Sequence, residues 1–490
     1  MIKKILIGLG IVLLVFIAII LFNTFRVKPW PFGTVNTAQS PLPDSAIQHL
    51  SASVQLPTIS LSDTSAIDTA AFTAFRMLIE HSYPILSRTL SRTMINQYSF
   101  VFEWKGQNLS LKPIILLGHY DVVPVEEAAL KEWTVAPFSG SITDSCIWGR
   151  GSVDDKSGVI SILEATEAML RKGFIPQRTI YLCFGHDEEV SGNGAKASAE
   201  YLARKGVRAE MVLDEGGELI ENAVKEVERP VALIGVAEKG YVSYRISVLK
   251  KGGHSSQPAK ETAIDILTAG LYRLRSKTSP SRLTPTVREF MHRIGSSSTI
   301  FVNRMASANM WLFEGTTKKI LSSDPGGAAM IYTTIVPTIL ESGVKDNMIP
   351  SIATAVINCR ILPGETAQTV ENFIRRVIAD DRLKISKIGK SNTEPSPTTP
   401  IESPAFRRVE SAVYKTVARV LPAPFLMLGA TDSRQYRNIA DGVVNFIPIT
   451  DSKGYHGIDE RLPLRDFQRI INFMMVIIEE SSKEFKYGSR

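Results

Sequence analysis

Three observations predict an α/β domain interrupted by a smaller α+β domain. The short apolar runs Ile114 to Leu117, Thr179 to Phe184 and Met211 to Leu213 have the texture of buried central strands. Val159 to Leu170 carries apolar residues at helical spacing, and strands that alternate with helices imply a sheet covered by helices. From about Tyr241 the pattern changes: Val242, Tyr244, Ile246 and Val248 alternate with polar neighbours, as in a half-exposed antiparallel strand. With 490 residues the chain has room for about three units of roughly 150 each.

In chain order, the first element is an apolar run from Ile5 to Phe22, about 27 Å long as a helix, between Lys3-Lys4 and Arg26. Residues 1–30 are therefore a transmembrane anchor or a signal sequence. No A-x-A cleavage site follows, which favours a single-pass anchor; if the segment were cleaved, the protein would be secreted. The short dilysine tail stays cytosolic, so the remainder faces the non-cytosolic side. Pro29 to Ser45 reads as a tether. Residues 31–240 form the first part of the main domain and 241–390 the inserted domain, with Ala353 to Leu362 as its second strand. The Pro/Ser/Thr stretch from Ser391 to Pro404 leads back to residues 391–490, which supply a helix (Phe406 to Val420), a buried strand (Val443 to Ile449) and a C-terminal helix from about Leu464.

Composition narrows the function. At 44% apolar and 21% charged residues the chain is globular, not disordered. Its net charge of +7 is scattered, with no basic block or stripe, which argues against a nucleic-acid partner. Three widely spaced cysteines exclude a disulfide framework and a Cys-x-x-Cys knuckle, so any metal must be held by histidines and carboxylates.

Such residues follow each apolar strand. Ile114–Leu117 runs into Gly118-His119-Tyr120-Asp121, Ile180–Phe184 into Gly185-His186-Asp187-Glu188-Glu189, and Met211–Leu213 into Asp214-Glu215. Ligands of open α/β sheets gather at the carboxyl ends of the strands, so these clusters should converge. Gly149-Arg150-Gly151-Ser152-Val153-Asp154-Asp155-Lys156 precedes the helix near Val159, and Gly454-Tyr455-His456-Gly457 follows the last strand. Asp121 stands two residues from His119, on the same face of an extended segment, where it can orient the imidazole. No Gly-x-Ser-x-Gly elbow and no His-Glu-x-x-His helix occurs.

This motif series, in this order, resembles the dinuclear zinc aminoacylase and carboxypeptidase family. Gly429-Ala430-Thr431-Asp432-Ser433-Arg434 makes it most like the carboxypeptidase S and N-fatty-acyl-amino-acid hydrolase branch. The resemblance implies a zinc-peptidase-like catalytic domain with an inserted ferredoxin-like lid or dimerisation domain. It implies two Zn(2+) per chain: His119, Asp154 and Asp214 on one, Asp154, Glu189 and His456 on the other, with Asp154 bridging. A cis peptide after Asp154 is also implied. Glu188 would be the general base that activates the attacking water, and Asp121 a catalytic partner of His119. His254 and Asn347 of the inserted domain would polarise the scissile carbonyl, with His254 supplied by the same chain or by a partner in a homodimer. Arg360 or Arg434 would bind the substrate's free α-carboxylate. The expected activity is cleavage of an N-acyl amino acid or of a peptide's C-terminal residue. A metal-stabilised binding protein on the same fold is the alternative, and the presence of Glu188 argues against it.

Overall fold

The main sheet is built from strands that are apolar on both faces. In the computed structural model, which describes residues 2–31, 41–61, 67–190, 192–221, 227–450 and 453–483, all six residues of the strand Ile114–His119 are buried. Ile114 and Leu116 pack into one core with the helices Lys156–Arg171 and Leu464–Ser481. Ile115 and Leu117 pack into another beneath the helix Asn193–Arg204. Helices therefore cover both faces, and truncating Leu116 to Ala would cost about 2–5 kcal/mol.

From edge to edge the strands run Ser91–Ile95, Ser99–Trp104, Ile180–Gly185, Ile114–His119, Met211–Asp214, Val443–Asn445, Val231–Glu238 and Leu421–Met427. Ile180–Gly185, Ile114–His119 and Met211–Asp214 are adjacent and parallel, so their carboxyl ends open on one place. Leu421–Met427 was not expected, because Pro422 and Pro424 argue against a strand. It lies at the sheet's edge, where missing N–H groups are tolerated. The expected strand from Val443 to Ile449 is shorter, ending at Asn445, and the preceding helix spans Pro404–Thr416, capped by Ser403.

The inserted region has the βαββαβ order of a ferredoxin-like unit. Its strands Gly240–Leu249, Thr334–Ser342, Ile352–Ile361 and Lys384–Thr393 form an antiparallel sheet in which the first strand lies between the third and the fourth. Alternating burial along Gly240–Leu249 turns Val242, Tyr244, Ile246 and Val248 onto the helices Ala263–Arg275 and Ala367–Ile378. Residues 391–393 of the expected linker belong to the last strand.

Two features bear on function. Four further helices, Pro285–Ser296, Phe301–Ala308, Met310–Leu321 and Pro325–Ile331, interrupt the ferredoxin-like unit and were not foreseen. The first packs against the edge strand through Ile294, Leu421 and Ala423. The apolar N-terminal run forms a helix, Ile2–Arg26, long and apolar enough to cross a membrane and leaning on Phe301–Ala308. The tether's residues 32–40 lie outside the described residues.

Candidate active site

Asp154 sits at the centre of the strand ends, in the turn leading into the helix Lys156–Arg171. That turn needs glycine: φ is +139° at Gly149 and +88° at Gly151, a region L side chains avoid. Glu460 clamps it, accepting hydrogen bonds from the backbone N–H groups of Gly151 (2.9 Å), Val153 (2.9 Å) and Asp154 (3.2 Å) while pairing with Arg150 at 2.6 Å. The Asp154-Asp155 peptide is cis.

The two oxygens of Asp154 face different partners. Oδ1 lies 2.9 Å from His119 Nε2, and Oδ2 lies 2.7 Å from His456 Nε2. His119, Asp154 and Glu215 present donor atoms within 4.8 Å of one another, as do Asp154, Glu189 and His456. Two groups sharing one carboxylate form the donor arrangement of a dinuclear site.

Asp214 is not part of it. Along the strand Met211–Asp214 the side chains alternate, so Asp214 shares the face of Val212, which packs with Tyr436 and Ile439. There its carboxylate accepts hydrogen bonds from Thr431 Oγ1 (2.8 Å) and Ser433 N–H (2.7 Å). Glu215, one residue on, turns the other way and reaches His119 Nε2 at 3.5 Å. The expected group of His119, Asp154 and Asp214 is therefore corrected to His119, Asp154 and Glu215. Strand alternation was the signal that separates the two acids.

Asp121 is a positioning residue. It lies 3.3 Å from His119 Nδ1 and accepts from Ser60 Oγ at 2.6 Å. Its two oxygens also take the backbone N–H groups of Glu188 and Glu189, each at 3.1 Å, so one buried carboxylate orients a histidine and the segment carrying both glutamates. Burial opposes its charge, but His119, Ser60 and these N–H donors hold it below the usual range.

The electrostatics call for cations. Burial, reinforced by Asp154, raises Glu215 to about 7, and burial raises Glu189 as well. Burial, ahead of repulsion from Asp432, Glu215 and Asp121, lifts Glu188 well above the ordinary carboxylate range. Contacts with Asp154 and Glu189 push His456 up to about 10. Divalent ions at the two groups would offset the crowding of acids, and imidazole and carboxylate donors suit zinc. The residues fit such a centre.

The groups open on a cavity of about 1090 Å³ also lined by Glu188, Arg360 and Arg434. The Arg360 guanidinium stacks on Tyr241, 4.8 Å from the ring centroid. Burial, with Arg434 nearby, lowers its pKa. Arg434 Nε is buried with no hydrogen-bond partner among the described residues. Most of the remaining wall is apolar, with Leu233, Phe290, Leu321, Met330, Phe425 and Ile449, interrupted by Glu218 and Asp324.

His254 and Asn347 are not brought to the cavity. His254 pairs with Met348 in a two-residue ladder and is exposed, its Nδ1 bonded to Ser256 Oγ at 2.8 Å; Asn347 is exposed beside it. Within a single chain their expected contact with the scissile carbonyl is thus not formed.

Residues 115–480 match the model of the peptidase family M20/M25/M40. The chain is 37% identical to probable carboxypeptidase S-like 2 of Dictyostelium discoideum, over 89% of this chain and 85% of the relative. It is 34% identical to the human N-fatty-acyl-amino acid synthase/hydrolase PM20D1, over 89% and 87%. Among solved structures, the M20 family metallo-carboxypeptidase Sso-CP2 from Sulfolobus solfataricus superposes with a TM-score of 0.67 at 18% identity, covering 90% of this chain and all of that one. A sheet whose strand ends gather shared histidine and carboxylate donors, a ferredoxin-like insert and a family match over most of the chain lead to one conclusion: this protein belongs to the M20/M25/M40 family of peptidases.

Proposed function

We propose that this chain is a two-zinc amidohydrolase that releases a free amino acid from an N-acyl amino acid bearing a long apolar acyl group, and that its N-terminal helix is retained as a membrane anchor. The supporting observation is the cavity, which combines metal-binding donors, two guanidinium groups and an apolar wall in one space. The name of the N-fatty-acyl-amino acid synthase/hydrolase relative points the same way.

His119, Asp154 and Glu215 would hold one ion, and Asp154, Glu189 and His456 the other. Such ions would polarise the amide carbonyl and acidify the attacking water. Arg360 and Arg434 bind the substrate α-carboxylate, a group that a guanidinium recognises in two-point fashion. Glu188 takes a proton from water as its oxygen bonds to the acyl carbon, then gives the proton to the amine nitrogen as the C–N bond breaks. Asp121 holds Glu188 and His119 in register through the contacts above. His254 and Asn347 would reach the carbonyl oxygen from a second copy. The unpaired outer edge of Thr334–Ser342, with Ile339 and Leu340 exposed, offers a surface for that homodimer.

The test is turnover by zinc-loaded protein of N-acyl amino acids and dipeptides, with acyl length and terminal residue varied separately. The reading requires kcat/KM to rise with acyl length and to collapse when the α-carboxylate is amidated. Indifference to both changes would contradict it.

A further inference from the structure

The unforeseen helices Phe301–Ala308 and Met310–Leu321 meet the N-terminal helix in a way that fixes their surroundings. Asn309, fully buried at their junction, donates to Ile20 C=O (3.2 Å) and Thr24 Oγ1 (3.3 Å) and accepts from Asn23 Nδ2 (2.9 Å). Phe25 lies against Phe301, with centroids 5.9 Å apart, and Trp311 meets Phe16 edge to face at 6.0 Å. Phe16 stands six residues inside the end of the apolar run at Phe22, a depth of about 9 Å along a helix. A bilayer that covers Ile5 to Phe22 therefore also covers Trp311.

The side chains around Trp311 suit that setting. Val302 and Trp311 are each 59% exposed, and Ile300, Phe301 and Leu312 are exposed beside them. The acid of the second helix, Glu314, pairs with Arg288 (2.5 Å) and Lys318 (2.7 Å), and the other charges of the two helices, Arg304 and Lys319, are cationic and carried on long side chains. Asn23, Thr24 and Asn309 bond to one another at the junction, an arrangement that hydrocarbon surroundings favour. Leu321, at the far end of the Trp311 helix and about 15 Å along its axis, lines the apolar wall of the cavity.

We infer that these two helices are seated in the membrane leaflet from which the N-terminal helix emerges, so that the apolar cavity wall stands directly over the bilayer. The inference rests on the reading of that helix as a retained span. The occupant of the exposed face is lipid hydrocarbon, and substrates dissolved in the leaflet meet the enzyme on this side.

The experiment uses the full chain reconstituted in phosphatidylcholine vesicles with and without acyl-chain-brominated lipid. Bromolipid should quench a component of the tryptophan fluorescence that is absent in Trp311→Phe; equal quenching in both proteins overturns the inference. A spin label on Leu312→Cys should be more accessible to oxygen than to a water-soluble nickel complex, whereas one on Leu249→Cys, which is exposed elsewhere on the inserted domain, should show the reverse. A Leu312 label open to nickel overturns the inference, and so does one shielded from both reagents, which would mean that a second copy covers the face. Turnover of a short-acyl, water-soluble substrate should be unchanged in these variants. Its absence in the unsubstituted chain would refute the hydrolase reading without touching the membrane result, and N-terminal sequencing shows separately whether the span is retained.

Discussion

The strand-end cluster of the catalytic domain and the His254 hairpin of the inserted domain are built on opposite terms. In the cluster, three adjacent parallel strands deliver His119, the Glu188-Glu189 segment and Glu215 to one place, and Asp121 and Glu460 fix the loops through backbone hydrogen bonds. In the hairpin, two residues pair with two, and His254 faces outward. The residues that could hold metal are gathered inside one domain, while His254, the proposed donor to the carbonyl oxygen, is left outside the cavity for assembly or closure to bring in. Metal binding should therefore survive changes in the inserted domain, and turnover should not.

The largest effect tests the cluster. Asp154→Ala removes the carboxylate common to both groups, so elemental analysis should find both metals lost and activity should fall below detection. Retention of either ion at full occupancy would break the sharing.

Next, the neighbouring acids separate. Glu215→Gln should lose metal from one group, whereas Asp214→Asn, which alters hydrogen bonds to Thr431, Ser433 and the Glu215 backbone, should keep both metals and stay within about tenfold of full activity. The reverse pattern would restore Asp214 as the ligand.

For the hairpin, His254→Ala should leave metal content intact and lower kcat by roughly 10²- to 10³-fold, the loss expected for one oxyanion donor. Mixing it with inactive Glu188→Gln should restore part of the activity if the histidine crosses between copies. No recovery in demonstrably mixed dimers would place its action within one chain.

The smallest effect sharpens the substrate end. Arg434→Ala should raise KM by roughly ten- to a hundredfold, the worth of a charged hydrogen bond, with kcat little changed. A loss confined to kcat would move Arg434 out of ground-state binding.

The parts legible in the sequence are those whose chemistry follows a strand directly. His119 and Glu189 lie in the clusters that follow two apolar runs, and Asp154 and His456 lie in glycine-rich turns, so local pattern marks the clusters while the family resemblance picks out the individual residues. Choosing between Asp214 and Glu215 depended on a one-residue alternation that is settled only by where the strand's two faces pack. Glu460 escaped notice because it acts on backbone N–H groups some 300 positions away in the chain, and no motif records such a contact. The strand Leu421–Met427 was hidden by its prolines, which only an edge position makes acceptable. The helices from Pro285 to Ile331 were missed because several of their apolar residues face outward, which blurs the one-sided pattern of a core helix. His254 was recognisable as a residue type in a setting, but its distance from the cavity is a property of domain placement.

The central claim, that the gathered donors and Glu188 form a working catalytic centre and not a metal-stabilised scaffold, is tested most directly by Glu188→Gln. Metal content and turnover of an N-acyl amino acid are measured on the same preparation. The account predicts about two zinc ions per chain together with a fall in kcat of about 10²-fold or more. Undiminished turnover with both ions in place would contradict it.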